Sequence, residues 1–462
     1  MDLPPPPLPS HTDSGDVARR TRRERGPRAS LGLIIIGVAM LGGAALLDAR
    51  DAQDAAWAGT VYAPDGDAPW GGTIAIQARR LPLINYPLRQ ELYMRLRRSL
   101  PRDEIKALGL DRTEMLIVAE ITPEQMAPLL ESGRLPRKGQ PEVLAGAFAS
   151  LNQLRADDAH LAVVGRLKRN VSGLATAYLM PADEDWAPLF DRTTTRGWLD
   201  PQGTAKLEQP EYRDRIDKKQ ELSGDPAAAA APTSGLCIIG LALIAVGGAG
   251  LHRFVFARMA GSGVTAPARR AFGEWPRLVR GMHVWMYGAF FFSMAMATAV
   301  PQLNALAMEY VRAAFTDGTL SYVGNAYRSG NVLIAAAATW ANNFLLQTVV
   351  LTILVSIAIP CVGLLKTLAS FTLVGVGMAP IWSGMAGQYT YHSVTMILEL
   401  EAYIYACAAV VIFWGRILGA LRERSLAPAR DGFRILGSAT LLSGVMLAIA
   451  GLYEATTLIL LR

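Results

Sequence analysis

Along this chain, unbroken apolar runs are separated by stretches in which apolar and charged residues mix. Leu31 to Leu47 is the first run and makes about 25 Å of helix, just enough to cross a hydrocarbon core. From Asp48 to Thr233 no run is long enough to cross, so this part reads as a folded extramembrane domain. Within it, short segments rich in Val, Ile and Leu predict strands over Thr73 to Gln77, Glu114 to Thr122, Leu161 to Lys168 and Val171 to Met180. Helices are predicted over Leu88 to Ser99 and Pro123 to Ser132, the second opened by a capping box of Thr122 and Gln125 and stopped by Gly133. That mixed order makes the domain α+β. Asp225 to Thr233, an alanine run between two prolines, is the linker back to the membrane.

Apolar segments then recur at about Ser234 to Phe256, Met282 to Val300, Asn343 to Leu365, Leu368 to Met385, Ser393 to Trp414 and Ile435 to Leu458. The fold class that follows is an all-α polytopic membrane bundle of about seven spans with an inserted α+β extracytoplasmic domain. Its parts are a disordered basic tail (1–30), a membrane anchor (31–47), the extracytoplasmic domain (48–233) and the helical membrane domain (234–462). A cleaved signal peptide competes with the anchor, but the first apolar run is long for a signal core. Leu303 to Phe315, with Glu309 and Arg312 three apart, reads as an amphipathic helix lying on the outer surface. Asn331 to Ala341 either lengthens the fourth span or forms a re-entrant piece; the pattern allows both. The glycine spacings Gly240 to Gly247 and Gly375 to Gly384 permit close helix approach.

The formal net charge is +6, and where the arginines fall decides what it means. They cluster beside apolar segments and form no stripe with interleaved aromatics, which argues against a nucleic-acid partner. Arg258 to Arg280 carries five arginines against Glu274 alone, and Arg416 to Arg434 carries five more. By the positive-inside rule both loops and the N-terminal tail face the cytoplasm of a multi-pass inner (plasma) membrane protein, which puts residues 48–233 on the far side. Cys237, Cys361 and Cys407 each fall in an apolar segment and have no metal-ligand spacing, so no metal or other cofactor is expected.

Polar residues inside the apolar runs are the candidate functional positions. Glu399 and Glu401 lie in the Ser393 to Trp414 run, where a central charge costs about 2.5–3.5 kcal/mol on insertion scales, so both are expected to face protein or water. Two residues apart on a helix they point about 200° away from each other, which argues against a catalytic dyad. Asn342 and Asn343 head another run, and His392 precedes Glu399 by seven residues. Glu401, Glu454 and Lys366 fall close enough to an interface to be wetted, and His252 and His283 read as interfacial residues on the basic side. No His-Glu-x-x-His, Gly-x-Ser-x-Gly or Gly-x-x-x-x-Gly-Lys occurs, so neither a zincin, a serine hydrolase nor an unaided ATPase is expected. The chain is read as a non-enzyme.

Ile397-Leu398-Glu399-Leu400-Glu401-Ala402, running on through Ala406 to Gly415, resembles the C-terminal signature of the stage II sporulation protein M family. Asn342-Asn343 heading a span, and Gly375 with Gly377, also fall where that family carries such residues. The resemblance covers roughly Arg280 to Leu458 and departs from the pattern in two places. The family's His-Gly before the Glu is missing, and Glu401 replaces a Pro. In the extramembrane part, Gly133-Arg134-Leu135-Pro136, Glu142-Val143 and Val163-Val164-Gly165 look like successive motifs in the periplasmic domain of MacB-type ABC permeases. The first resemblance implies a non-catalytic component of a bacterial envelope complex that assembles with other membrane or envelope proteins. The second implies the permease subunit of a transporter served by a separate cytoplasmic ATPase.

Overall fold

The computed structural model describes residues 13–54, 57–63, 74–82, 113–149, 153–156, 159–182, 195–201, 220–223, 226–258, 263–316 and 318–460. Its helices are α1 (Asp13–Gln53), α2 (Pro123–Met126), α3 (Ala231–Arg258), α4 (Ala266–Glu274), α5 (Pro276–Ala299), α6 (Pro301–Thr316) and α7 (Ser321–Arg328). They continue with α8 (Val332–Ala358), α9 (Val362–Gly377), α10 (Ala386–Glu423) and α11 (Ala427–Leu460). Five of these, α1 from Pro27 to Asp51 together with α3, α8, α10 and α11, are long and apolar enough to cross a bilayer. The chain is therefore a helical, multi-pass membrane protein.

Hydrophobicity located these helices, but prolines and tertiary partners set their ends. Residues 331–341 join the apolar run that begins at Asn343 in one helix: Asn331 caps α8 by accepting from the amides of Leu333 and Ile334, and the helix runs unbroken to Ala358. It does not reach Leu365, because Ile359 before Pro360 is driven into an extended conformation. The chain turns at Cys361 (φ 72°) and starts α9. Likewise the run Leu368 to Met385 is helical only to Gly377. Asn304 of α6 donates to the last carbonyls of α9, Val376 and Gly377, at 2.8 and 2.9 Å. Beyond them, Pro380 and Gly384 (φ 82°) belong to a loop that pairs with the linker, Ala229 N–H to Ile381 and Ser383 N–H to Ala227. The basic tail is helical from Asp13 where disorder was expected, Arg being a good helix former, and residues 1–12 lie outside the described part. Helix α6 falls where the amphipathic helix was expected.

Helix α1 lies against α3 at van der Waals distance. A Cβ on Gly37 would come within 2.6 Å of the Gly240 carbonyl, and one on Gly247 within 2.6 Å of the Ser30 carbonyl. The far end of α1 is fastened by Asp48, whose carboxylate accepts from Ser383 Oγ at 2.9 Å and from the Gly384 amide at 2.7 Å, ahead of α10. An acid at a helix entrance satisfies amides that have no partner in the helix.

Between α1 and α3 the described chain is mostly sheet. Its strands are β1 (Trp57–Ala58), β2 (Thr60–Ala63), β3 (Ile74–Pro82), β4 (Thr113–Ala119), β5 (Leu130–Gly133) and β6 (Glu142–Ala145). The remainder are β7 (Gln153–Ala156), β8 (Ala159–Leu167), β9 (Val171–Ser172), β10 (Ala177–Pro181), β11 (Thr195–Asp200) and β12 (Gln220–Ser223). Ten of them form one sheet in the order β12-β2-β11-β3-β4-β10-β6-β8-β5, with β7 also on β8. The pairs β4 with β10 and β6 with β8 are parallel. Alternation along β4 and β10 buries Ile117, Ala119 and Leu179 on one face and Leu116, Val118 and Tyr178 on the other.

Two sequence expectations change here. The capping box of Thr122 and Gln125 forms, but the helix it opens ends at Met126 because Pro128 follows, and residues 130–133 become β5. Val171 to Met180 is two strands divided by a turn at Gly173 (φ 75°). The helix expected over Leu88 to Ser99 lies outside the described residues. The sheet sits on the rim of the helical body. Ala228 N–H donates to the Arg169 carbonyl at 2.8 Å, and Phe148 packs edge-on against Trp382 with ring centroids 4.8 Å apart.

Candidate functional site

Helix α10 carries the polar centre of the membrane body, and its geometry sends Glu399 and Glu401 to different neighbours. Glu401 is fully buried among α3, α5 and α10. Its Oε1 accepts from Tyr287 OH at 2.9 Å, its Oε2 lies 2.9 Å from His283 Nε2, and His252 Nδ1 is 3.4 Å from the same oxygen. His283 and Tyr287 reach it together because residues four apart share a helix face. The other ring nitrogen of His283, Nδ1, is 2.6 Å from the Val279 carbonyl, which can only accept, so that nitrogen carries a hydrogen. One proton is then shared between Nε2 and Oε2. Tyr405, one turn beyond Glu401, packs its ring edge-on against His283. His283 thus belongs to a buried network and His252 to its edge, a correction to the interfacial position expected of both from the sequence.

Glu399 faces the other way, into open space. A cavity of about 450 Å³ lies between α7, α8, α10 and α11, with the C-terminal ends of α6 and α9 also in its wall, and a second lobe of about 490 Å³ adjoins it along α6 and α9. Glu399, Asn342 and Asn343 line both lobes. Along α10, Gln388, His392, Thr395 and Glu399 follow at helical spacing, so the cavity extends from the start of that helix to its middle. Glu454 of α11 and Tyr327 of α7 close the opposite wall, with Tyr327 OH 3.1 Å from Thr339 Oγ1. Lys366 lines only the second lobe and is tied there to Gln347 Oε1.

The two asparagines are links in a directed chain. Tyr322 OH donates to Asn342 Oδ1 at 3.3 Å, Asn342 Nδ2 to Asn343 Oδ1 at 2.8 Å, and Asn343 Nδ2 to Glu399 Oε1 at 2.8 Å. Every dipole in the series points at the carboxyl, and bonds aligned in this way polarise one another. The asparagines stand at the head of a wide-turn stretch, Ala341–Leu354. There Thr348 and Thr352 hydroxyls donate to carbonyls five residues back, Asn343 and Gln347, at 2.7 and 2.8 Å. Such widened turns are uncommon and recur at functional positions.

The structure therefore brings four of the five sequence-predicted residues, Asn342, Asn343, His392 and Glu399, to one cavity and places Glu401 in a separate network. Tyr327, Thr395 and Tyr287 escaped the sequence reading because nothing local marks them. The spacing of His283 and Tyr287 was the one available signal. A third cavity, about 610 Å³, lies on the sheet beside the turn of Leu135 to Gln140, where Glu120, Glu124, Arg137 and Lys138 are exposed to solvent. Comparison with family models, curated proteins and solved structures gave no match to this chain.

Proposed function

We propose that this chain is the membrane-embedded, permease-type subunit of a bacterial envelope transporter, holding a small polar solute in the cavity at Glu399 and working with a separate cytoplasmic ATPase. The observation that carries the reading is the cavity itself: carboxyls from two helices line open space at membrane depth, where ionisable groups are costly and ordinarily mark solute or proton paths. In this arrangement α5 and α9 cross with the five longer helices to make seven spans. The arginine-rich segments at α4 and between α10 and α11 face the cytoplasm of the plasma membrane, and the sheet, part of an α+β domain, lies on the opposite side. The chain itself performs no chemistry; the exposed Arg270, Arg277 and Arg280 around α4 supply the docking point for the ATPase.

A second reading, a non-catalytic scaffold similar to the sporulation protein M family, draws support from the Glu401 network. That network fastens three helices and lines neither cavity in the membrane body. Purification of the full chain from mild detergent separates the two. A co-purifying ATPase that is lost when Arg270 and Arg277 are replaced by Glu is the expected result. Recovery of the chain alone, or with envelope proteins held only through the sheet, overturns the permease reading.

A further inference from the structure

We infer that the solute held at Glu399 is a small organic cation bearing ammonium or guanidinium N–H donors. This deepens the permease reading and rests on it. Among the described residues, the ionisable side chains lining the 450 Å³ lobe are Glu399, Glu454 and His392 together with two tyrosines, with no lysine or arginine. Each asparagine amide already gives one of its two hydrogens within the chain, Asn342 to Asn343 and Asn343 to Glu399 Oε1. Among the described residues Glu399 Oε2 has no hydrogen bond. An independent sign of a missing polar partner is Thr395, a residue only 6% exposed that lines the same lobe and whose hydroxyl, able to accept or to donate, is without a hydrogen bond. The lobe thus sets two acids from facing helices, one with an unpartnered carboxyl oxygen, beside no cationic side chain of the described residues.

The walls decide between kinds of cation. Phe315, Val374, Met378, Met385, Met396 and Tyr389 surround the acceptors. A calcium or magnesium ion needs six or more oxygen ligands, and apolar walls of this kind do not supply them. An alkyl ammonium buries its carbon stem against such walls while its N–H groups reach the carboxyls. Lys366 does not fill this role from within, because its ammonium is held by Gln347 in the adjoining lobe.

Titration calorimetry on the full chain in detergent tests the assignment, with butylammonium and butane-1,4-diamine as probes and 1-butanol as the neutral control. Both cations are expected to bind and the alcohol not to. Glu399→Gln keeps the acceptor for Asn343 and removes the charge, so it is expected to weaken cation binding at least tenfold without altering thermal unfolding. Thr395→Val is expected to weaken it by a smaller factor. Equal binding of 1-butanol, displacement by millimolar sodium or potassium, or unchanged affinity in Glu399→Gln overturns the inference. Absence of cation binding in a chain that still retains an ATPase removes the cation assignment alone. Cation binding in a chain that retains none removes the transporter reading instead.

Discussion

Two substitutions at Glu401 distinguish a buried network that needs its charge from one that needs only its hydrogen bonds. In Glu401→Ala, His283 Nε2 and Tyr287 OH both lose their partner in a site with no exposed surface at residue 401. Hydrogen bonds between membrane helices average only about 0.6 kcal/mol each, so two of them account for about 1 kcal/mol. Stranding the partners of a buried pair costs more, about 3–5 kcal/mol, and that is the loss expected here. Glu401→Gln has the same shape. Its carbonyl accepts from Tyr287 and its amide donates to His283 Nε2, which is free to accept because Nδ1 already gives its hydrogen to Val279. The glutamine variant is therefore expected within about 1 kcal/mol of the parent. Unfolding in mixed detergent and SDS, followed by far-ultraviolet circular dichroism, measures both. An alanine variant as stable as the parent, or a glutamine variant as unstable as the alanine one, refutes the reasoning.

The sheet offers a pH prediction. The Arg134 guanidinium grips Glu142 through both oxygens at 2.5 and 2.6 Å, and with help from the Arg137 amide at 2.9 Å it holds the Glu142 carboxyl at about 2 against an ordinary 4.5. Because the folded value is the lower one, the stabilisation is complete above the unfolded value of 4.5 and is lost as pH falls toward 2. Near-ultraviolet circular dichroism is expected to show an acid transition in that window that shrinks in Glu142→Gln; an identical transition in the variant excludes this pair as its cause. At the α1–α3 contact, Gly37→Val places a methyl-bearing carbon against the Gly240 carbonyl, where a Cβ would lie at 2.6 Å. Overpacking of this kind costs about 1–3 kcal/mol, measurable in the same unfolding assay, whereas Gly43→Val, with open space around it, is expected to cost less than half as much.

Local chemistry made a good part of this protein legible. Each long helix falls on an apolar run because lipid and core alike demand one, and that demand is written residue by residue. The separation of Glu399 from Glu401 followed from helix geometry alone, since 3.6 residues per turn cannot aim two positions two apart at one target. The capping box at Thr122 was readable because all its atoms lie within four residues. What the tertiary structure decided is everything that depends on a distant partner. Glu401 meets His283 across 118 residues of chain and Glu399 meets Asn343 across 56, and no periodicity encodes which faces of which helices will touch. The same holds for the end of α9, where an apolar run continues to Met385 but the backbone of residues 381–383 finds the linker at 227–229. Hydrophobic burial is non-directional and so fixes which residues go inside. Hydrogen bonds are directional and short, and they assign partners only once the helices have been brought together.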